Sequence, residues 1–381
     1  MEVILNYRTH IVSDLSEIGQ AGWDGLVRAQ DKPNPFLSYA FLHALHESGS
    51  AAPQTGWQPQ YLVLFDGEEL AAALPLYVKD HSYGEYVFDW AWADAYQRHG
   101  LDYYPKLLSA IPFTPVSGPR LMARDAHARA ALVDVLVATQ QATEVSSTHL
   151  LFPPEEQARQ LKEAGFLLRS GVQFHWLNGG YANFEEFLAT LEQKKRKNIR
   201  AERRKVAQAG VTLRRVRGRE ATHADWVLFN RCYRNTYRAH HSTPYLNLDF
   251  FERIGRDMPD NILLVIAERE GRPIAASLVI HDETTLYGRY WGELEHVPCL
   301  HFEAAYYQPL EFCIEQKIAV FEGGAQGEHK MARGFLPTRT WSAHWLAHPS
   351  FADAVERFLE RESGGIDDYL DELNERTPFR K

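Results

Sequence analysis

The chain repeats a series of landmarks at a nearly constant offset, and this repeat restricts its fold more than any other feature. A predicted turn glycine recurs after 204 residues, a strand tryptophan after 201, and a tyrosine pair at the start of a predicted helix after 203. The landmarks are Gly67 and Gly271, Trp90 and Trp291, and Tyr103-Tyr104 and Tyr306-Tyr307. Stacked repeat proteins use units of roughly 20–50 residues, which are far shorter. The sequence therefore predicts a duplicated domain.

Each copy has the pattern of a mixed α/β domain, with the order helix, hairpin, strand, helix, strand. Two apolar segments flank a glycine-containing turn at 61–78 in the first copy and at 262–280 in the second, as is typical of β-hairpins. Hairpin strands pair antiparallel, and strands joined through a helix pair in parallel. We therefore expect an α/β (α+β) fold in which each copy forms a mixed β-sheet flanked by helices.

The length of the chain agrees with two domains. A single hydrophobic core rarely serves 381 residues, and 45% hydrophobic with 24% charged residues is a globular composition. A polar, glycine-rich segment at Asn178-Gly179-Gly180 separates the two copies. The predicted domains are residues 1–178 and residues 179–381.

Composition excludes several classes of protein. Three scattered cysteines are too few for a disulfide framework or a CxxC metal site, and neither an HExxH motif nor paired metal-ligand spacing occurs. The N-terminal sequence lacks the pattern of a signal peptide, and no apolar run reaches the ~18 residues of a spanning helix. The net charge of −9 argues against general DNA binding. We expect a cytoplasmic protein without a metal or a transmembrane segment.

The segment 318–335 is the strongest candidate for a site. A short apolar run, predicted to be a strand, ends in a turn with three glycines, and acidic, basic and cationic side chains follow at once. The corresponding segment of the first copy, 112–120, lacks this combination. The pattern favours chemistry in the second copy and a supporting role for the first, which we regard as degenerate. The alternative is a plain turn followed by the start of a solvated helix.

The segment 192–208 is predicted to be a basic helix that ends before Gly210. Between Lys194 and Lys205 it carries eight lysines and arginines against one glutamate. Unbalanced charges of one sign destabilise a helix, so an anionic ligand is expected to compensate them. Lys195, Arg196 and Arg200 are the candidate cofactor-binding residues. The alternatives are a solvated helix and a membrane-associated one, and the absence of aromatic residues argues against base stacking.

Several blocks of the sequence resemble one family. They are Arg289-Tyr290-Trp291-Gly292, Leu300-His301-Phe302-Glu303, Phe321 to Lys330, Arg333-Gly334-Phe335, Ser342-Ala343-His344-Trp345 and, in the basic helix, Lys195 to Arg203. The blocks resemble FemAB-like N-acyltransferases of the GNAT superfamily, which are also called peptidoglycan biosynthesis or recognition proteins. The resemblance covers most of the chain and implies two tandem GNAT-like domains.

The resemblance also implies the chemistry. GNAT domains bind an acyl thioester in a gap between two splayed strands, which here end at Trp291-Gly292 and Phe321-Glu322. The amine acceptor must lose a proton, so a carboxylate or histidine near the gap is expected to act as the base. The catalytic candidates are Glu322, His329, Glu303 and His301. The substrate-binding candidates are Trp291, Glu293, Gln326, Lys330, Arg333, Tyr237, Arg238 and His241.

Two donors and two functions remain open at the level of sequence. Acyl-CoA is expected as co-substrate, but the loop 293–301 lacks the glycine-rich motif with which GNAT enzymes grip the pyrophosphate, so aminoacyl-tRNA is the second candidate. The expected acceptor is a small-molecule or peptide amine, on an amino acid or a cell-wall peptide. The alternative function is a non-catalytic module that recognises a peptidoglycan precursor or a similar anionic, amine-bearing ligand.

Overall fold

The structure is a computed structural model that describes residues 7–324 and 327–380. Strands and helices make up the described elements up to residue 177. They are β1 (Arg8–Val12), α1 (Gln20–Arg28), α2 (Tyr39–Glu47), β2 (Trp57–Pro59), β3 (Tyr61–Asp66), β4 (Glu69–Leu74), β5 (Tyr77–Lys79), α3 (Trp90–Arg98), β6 (Lys106–Ser109), β7 (Met122–Ala123), α4 (Ala126–Ala142), β8 (Ser147–Leu151), α5 (Glu155–Glu163) and β9 (Leu167–Leu177).

The remaining elements begin with two helices and end with a long one. They are α6 (Phe184–Thr190), α7 (Gln193–Gln208), β10 (Val211–Arg217), α8 (His223–Ala239), α9 (Leu248–Asp257), β11 (Ile262–Arg269), β12 (Arg272–His281), β13 (Thr285–Glu293), α10 (Leu300–Phe302), a π-helical turn (Glu303–Tyr307), α11 (Gln308–Gln316), β14 (Val320–Glu322), a 3₁₀ segment (Glu328–Arg333), β15 (Leu336–Leu346) and α12 (Pro349–Glu375).

The chain forms two compact units. The first consists of the described residues up to 171 together with 339–369, and the second consists of 172–338 and the residues from 370 onward. Residues 339–369 thus pack with the N-terminal part of the chain. These units are defined by packing, and the division into homologous copies at residue 178 stays a prediction.

The first unit contains two sets of paired strands. Strands β1, β3, β4 and β7 form an antiparallel sheet in the order β1-β3-β4-β7. Strands β2, β5, β6, β8 and the later part of β15 pair in that order, with β6 and β8 parallel and the other pairs antiparallel. Buried side chains of β3, β4 and α4 form much of its core.

The second unit has the mixed sheet that positions the candidate site. The order is β10-β11-β12-β13-β14-β9, where only β13 and β14 are parallel. Helix α8 packs against β12 and β13, while the π-helical turn lies behind β12, where the Ser277 hydroxyl donates to the carbonyl of Ala304 at 2.8 Å. Helices therefore flank the sheet, as the sequence predicts.

The structure confirms part of the internal repeat and contradicts part of it. Both hairpins form, β3–β4 around Gly67 and β11–β12 around Gly271, and both glycines have positive φ. The predicted strand around Trp90 is wrong, because Trp90 begins helix α3, whose buried Trp92 and Tyr96 have the i, i+4 spacing of a helix. The prediction of a helix at Tyr103-Tyr104 is also wrong, since these residues directly precede strand β6.

A buried ionic cluster centred on Lys106 lies in the first unit. The Lys106 ammonium donates to Glu85 Oε2 at 2.8 Å and to Asp89 Oδ2 at 2.5 Å, and none of the lysine side chain is exposed. The hydroxyl of Tyr103 also donates to Asp89 Oδ2. These bonds attach the long connection between β5 and β6 to the sheet. Sequence analysis assigned no role to the cluster.

A second buried lysine lies directly opposite in the same strand pair. Lys79 is the register partner of Lys106, and its ammonium lies 3.8 Å from the centroid of the Trp57 ring. Among the described residues, no carboxylate comes within ion-pair distance of Lys79. Burial, reinforced by repulsion from Lys106, lowers the pKa of Lys79 to about 7.

The same substitution is expected to cost much more stability at Lys106 than at Lys79. Lys106→Met leaves two buried carboxylates without their cation and should lower the free energy of unfolding by about 3–5 kcal/mol. Lys79→Met removes a charge that the fold disfavours and should change it by less than about 1 kcal/mol. Urea unfolding followed by circular dichroism at pH 7 measures both, and equal losses in the two variants would contradict this account.

Candidate active site

A cleft opens in the second unit where β13 and β14 separate. The two parallel strands pair over only three positions, from Thr285 with Val320 to Tyr287 with Glu322, and β14 then ends. From Gly288 onward, no described strand pairs with this edge of β13. The cleft encloses about 110 Å³. Its described lining residues are Ser277, Leu278, Val279, Gly288, Arg289, Tyr290, Trp291, His301, Ala305, Tyr306, Phe321 and Gly323.

A β-bulge in β13 shapes the cleft. The register with β12 shifts between Leu278, opposite Tyr290, and Val279, opposite Gly288, so that Arg289 is the extra residue. Beyond the bulge, Tyr290 contacts Tyr233 of helix α8, with ring centroids 5.1 Å apart. The bulge therefore interrupts the regular alternation of side chains along β13 beside the cleft.

The helical segment beneath the cleft positions His301 and Tyr306. Helix α10 continues into the π-helical turn, and such turns occur frequently at functional sites. The His301 ring lies 5.3 Å from that of Trp291, and 5.5 Å from that of Tyr306. Burial, with the nearby cations as further causes, lowers the pKa of His301 to about 4, so its imidazole is neutral at pH 7.

Glu322 lies at the end of β14, but it faces the other side of the sheet from His301. It is the register partner of Tyr287 on β13 and of His175 on β9, whereas its neighbour Phe321 lines the cleft. His175 Nε2 lies 4.0 Å from Glu322 Oε2. Burial lowers the pKa of His175 to about 4.

His175 is a residue of the candidate site that the sequence motifs did not indicate. Its Nε2 atom also lies 3.2 Å from Oε1 of Gln173, so two polar residues of β9 lie beside Glu322 on one face. The signal was present in the alternation of polar and apolar residues at 172–176, which places residues 173 and 175 on the same face of a strand. What the sequence did not show is that β9 pairs with β14.

The predicted catalytic residue Glu303 is engaged in a buried ion pair. Arg203 of helix α7 donates to both Glu303 oxygens, at 3.0 and 3.1 Å, and the side chain of Gln308 donates to Oε1 at 2.8 Å. Arg203 also donates to Glu311 at 2.6 Å. The carboxylate of Glu303 therefore fastens α7 to the helical segment beneath the cleft.

Arg333, a predicted substrate-binding residue, is likewise held by protein groups. Its guanidinium donates to both oxygens of Glu202, at 2.9 and 3.0 Å, and to the carbonyl of His329 at 2.8 Å. It also lies 3.5 Å from the centroid of the Phe302 ring. These contacts tie helix α7 to the 3₁₀ segment, and they occupy the donors that a substrate would need.

Lys330 is the predicted site residue with the most unusual environment. Its side chain is buried, and its ammonium donates to the carbonyl of Gly324 at 3.2 Å. Among the described residues, no carboxylate lies within ion-pair distance of it. Burial lowers the pKa of Lys330 to about 8, so most molecules carry the charge at pH 7.

The other predicted site residues lie at varying distances from the cleft. Trp291 lines it. His329 is exposed, and its ring lies 6.0 Å from that of Tyr306. Glu293 pairs instead with His296 at 2.8 Å. Tyr237 packs on Tyr233 in α8, Arg238 and His241 are exposed near the end of that helix, and Gln326 lies outside the described residues.

The basic helix forms as predicted, but much of its charge is balanced by the protein itself. Helix α7 pairs through Arg203 with Glu303 and Glu311, and through Arg200 with Glu185. An anionic ligand for the remaining charge of the helix stays a prediction. Towards the N-terminus, Lys195 and Arg196 are partly exposed, and the Arg196 guanidinium donates only weakly to a carbonyl, at 3.4 Å.

The described residues contain neither a helix that could span a membrane nor a group of side chains arranged as a metal site. None of the helices is both long and apolar enough to cross a membrane. No group of three or more histidine, cysteine, aspartate or glutamate side chains is arranged to hold a metal ion within 7–324 and 327–380.

Comparison with known proteins identifies a family. A family model described as peptidoglycan biosynthesis/recognition, FemAB-like, matches residues 14–381. No protein of curated function matches the sequence significantly.

Three solved structures share the fold. The crystal structure of FemX has 10% sequence identity and a TM-score of 0.56, covering 92% of this chain and 100% of FemX. L-PGS from Bacillus licheniformis has 11% identity and a TM-score of 0.54, covering 92% and 98%. The C-terminal domain of a putative lysylphosphatidylglycerol synthetase from Agrobacterium fabrum has 11% identity and a TM-score of 0.53, covering 90% and 95%. The predicted resemblance to FemAB-like proteins and the mixed α/β fold class are confirmed.

The ion pairs of α7 predict a difference between two arginines of the same helix. Arg203→Met leaves Glu303 buried without its cation and should lower the free energy of unfolding by about 3 kcal/mol. Arg200→Met removes an exposed pair and should cost less than about 1 kcal/mol. Thermal and urea unfolding compare the variants, and an insignificant loss for Arg203→Met would show that α7 is not fastened through Glu303.

Proposed function

The chain belongs to the FemAB-like family of peptidoglycan biosynthesis/recognition proteins, and we propose that it is an N-acyltransferase whose active site is the cleft of the second unit. The reaction would move an acyl or aminoacyl group from an activated ester or thioester to an amine. The observation that carries this proposal is the separation of β13 from β14 after three paired positions. That separation leaves an edge of β13 exposed beside a cleft that could hold an acyl group.

The open edge of β13 can receive the acyl group. Backbone N–H groups of an unpaired strand edge are donors that a carbonyl oxygen can occupy. The bulge at Arg289 lies on this edge, between the paired part of β13 and Trp291. Aromatic side chains line the cleft and would shield an activated ester from water. The acyl carbonyl would therefore bind against β13 beside the bulge.

Glu322 is the proposed general base. It ends strand β14 at the mouth of the gap, on the face of the sheet opposite the cleft lining, so it would take the proton of an amine that approaches the gap from that face. Only 13% of its side chain is exposed. The imidazole of His175 is neutral at pH 7, and its Nε2 atom lies 4.0 Å from Glu322 Oε2. It is therefore positioned to interact with the Glu322 carboxyl group when that group takes up a proton. His301 is less suited, because a group with a pKa of about 4 is a weak base at pH 7.

The proposed reaction forms one bond, breaks one bond and transfers one proton. The neutral amine nitrogen attacks the carbonyl carbon, the bond from that carbon to the donor sulfur or oxygen breaks, and the leaving group takes the electron pair. The amine proton passes to Glu322. Lys330 would supply a positive charge near the developing negative charge, and a cation in a buried setting acts more strongly than one in water.

The basic end of α7 is proposed to contact the anionic part of the donor. Lys195 and Arg196 lie in the first turn of the helix, where the helix dipole also favours an anion. By contrast, Glu293 and Glu295 precede α10, at the place where acetyl-CoA-binding GNAT domains grip a pyrophosphate. This acidic loop would repel phosphates, so the phosphates of the donor are proposed to bind at a different place in this protein from the one that GNAT domains use. Both coenzyme A and tRNA donors therefore belong in an assay.

Removal of the Glu322 carboxylate should test the catalytic assignment. Glu322→Gln keeps the size of the side chain, and we expect it to lower kcat by about 10²–10⁴-fold because the base is lost. Thiol release from acyl thioesters, measured in the presence of a panel of amino acids and cell-wall peptides, gives the rate. Glu328→Gln is the matched control, since Glu328 is an exposed glutamate of the adjacent segment.

Two results would count against the assignment. Equal losses in Glu322→Gln and Glu328→Gln would remove Glu322 from the base role. Binding of a peptidoglycan peptide by the wild type without turnover of any thioester or aminoacyl-tRNA would favour the non-catalytic recognition module instead.

The pH dependence of the rate should report the protonation state of Lys330. If its ammonium form is required, kcat/KM decreases as the pH rises through about 8, the pKa of the buried amine. Lys330→Arg keeps a charge that does not titrate in this range, so the decrease near pH 8 should disappear. Rates of both proteins between pH 6 and 10 provide the measurement. A wild-type rate that instead rises through pH 8 and is abolished in Lys330→Arg would indicate that the neutral amine acts as a base.

A further inference from the structure

His301 lines the cleft, and its ring nitrogens have no protein partner. Among the residues that the structure describes, neither nitrogen forms a hydrogen bond or an ion pair. Other histidines of the second unit differ in this respect, since His175 contacts Gln173 at 3.2 Å and His296 pairs with Glu293 at 2.8 Å. Polar groups in a partly buried position normally have a partner. The half-buried imidazole of His301 is therefore available to a ligand in the cleft.

Three aromatic rings hold this imidazole in the wall of the cleft. Its centroid lies 5.3 Å from that of Trp291, 5.5 Å from that of Tyr306 and 5.6 Å from that of Phe302. Trp291 belongs to β13, whereas Phe302 and Tyr306 belong to the helical segment beneath the cleft. The ring is thus fixed between that segment and the strand, and a group fixed in advance needs little reorganisation during a reaction.

The protonation state of His301 suits a hydrogen-bond donor. Burial is the main cause of its pKa of about 4, and repulsion from His329, Arg333 and Lys330 lowers the pKa further. At pH 7 the ring therefore carries one N–H donor and one unprotonated nitrogen. Because neither nitrogen is engaged by the protein, the proton can occupy whichever nitrogen faces the ligand.

The location of His301 matches the oxygen of the acyl carbonyl. Under the proposed function, the carbonyl lies in the cleft against β13, while Glu322 takes the amine proton on the opposite face of the sheet. His301 lines the cleft beside Trp291, so its N–H is on the side of the carbonyl. Negative charge develops on this oxygen when the amine attacks, and a fixed donor in a partly buried site stabilises that charge.

We propose that His301 is a catalytic residue that donates a hydrogen bond from its neutral imidazole to the carbonyl oxygen of the acyl group. The inference rests on the proposed function for the reaction and for the position of the acyl group. The imidazole keeps its proton throughout, and the hydrogen bond strengthens as the oxygen gains negative charge. This role differs from that of a base, which the sequence alone suggested for His301.

Two substitutions at this position separate a donor from a base. His301→Phe keeps an aromatic ring without the donor, and it should lower kcat by about 10²–10³-fold with little change in KM. His301→Gln supplies a neutral N–H that cannot act as a base at pH 7, and its kcat should exceed that of His301→Phe by about tenfold. Thiol release from the N-acetylcysteamine thioester of acetate measures the rates. Equal losses in the two variants would overturn the inference.

Two further variants serve as controls. His240→Phe makes the same substitution at an exposed histidine after helix α8 and should keep the wild-type rate. Circular dichroism compares the folded state of all the variants. If His301→Phe does not fold, His301→Leu takes its place, because leucine also lacks the donor.

The stretching frequency of the carbonyl group provides a readout that is independent of turnover. The probe is the amide analogue of the same thioester, in which the acyl carbonyl carries a carbon isotope label. We expect a lower infrared frequency on the wild type than on His301→Phe, because a donated hydrogen bond weakens the C=O bond. Equal frequencies, or no binding of the analogue at millimolar concentration, would overturn the inference. A lower frequency that depends on His301, without turnover of any thioester or aminoacyl-tRNA, would instead overturn only the proposed function.

Discussion

The short parallel pairing of β13 with β14 is the constraint on which the candidate site depends. Three register pairs join the strands at their start, and the antiparallel pairing of β14 with β9 then holds β14 in place while β13 continues along β12. The gap therefore follows from strand length, because β14 ends after Glu322. The cleft, the open strand edge and the opposed directions of Glu322 and His301 all derive from this arrangement.

Ion pairs determine what surrounds that gap. In helix α7, Arg203 pairs with Glu303 and Glu202 pairs with Arg333. Charged residues that the sequence suggests as catalytic or substrate-binding groups therefore link secondary-structure elements instead. Lys330 differs from them, because it is buried without a described acidic partner. This contrast separates charges that are paired within the protein from the one that, under the proposed function, would act on a substrate.

Sequence reasoning succeeded where the pattern was local. The hairpins around Gly67 and Gly271 and the helix α7 are set by short-range periodicity and turn chemistry, and they form as predicted. Trp90 illustrates the limit. It was aligned with Trp291 only because the two tryptophans have the spacing of the repeat, whereas the local sequence around Trp90 has the pattern of a helix and forms α3. His175 shows the same limit, since it became visible as a neighbour of Glu322 only through the pairing of β9 with β14.

The sequence by itself determined the mixed α/β class, the resemblance to FemAB-like proteins and the segment in which reactive side chains concentrate. It could do so because hydrophobic periodicity, glycine turns and motif blocks are recorded within short stretches of chain. Only the tertiary structure decided which charges are available. Glu303 and Lys330 are both ionisable residues of one candidate region. Glu303 has a cationic partner, Arg203, one hundred residues away in the sequence, whereas Lys330 has no acidic partner among the described residues. Charge pairing is a property of positions in space, so the linear order of residues does not fix it.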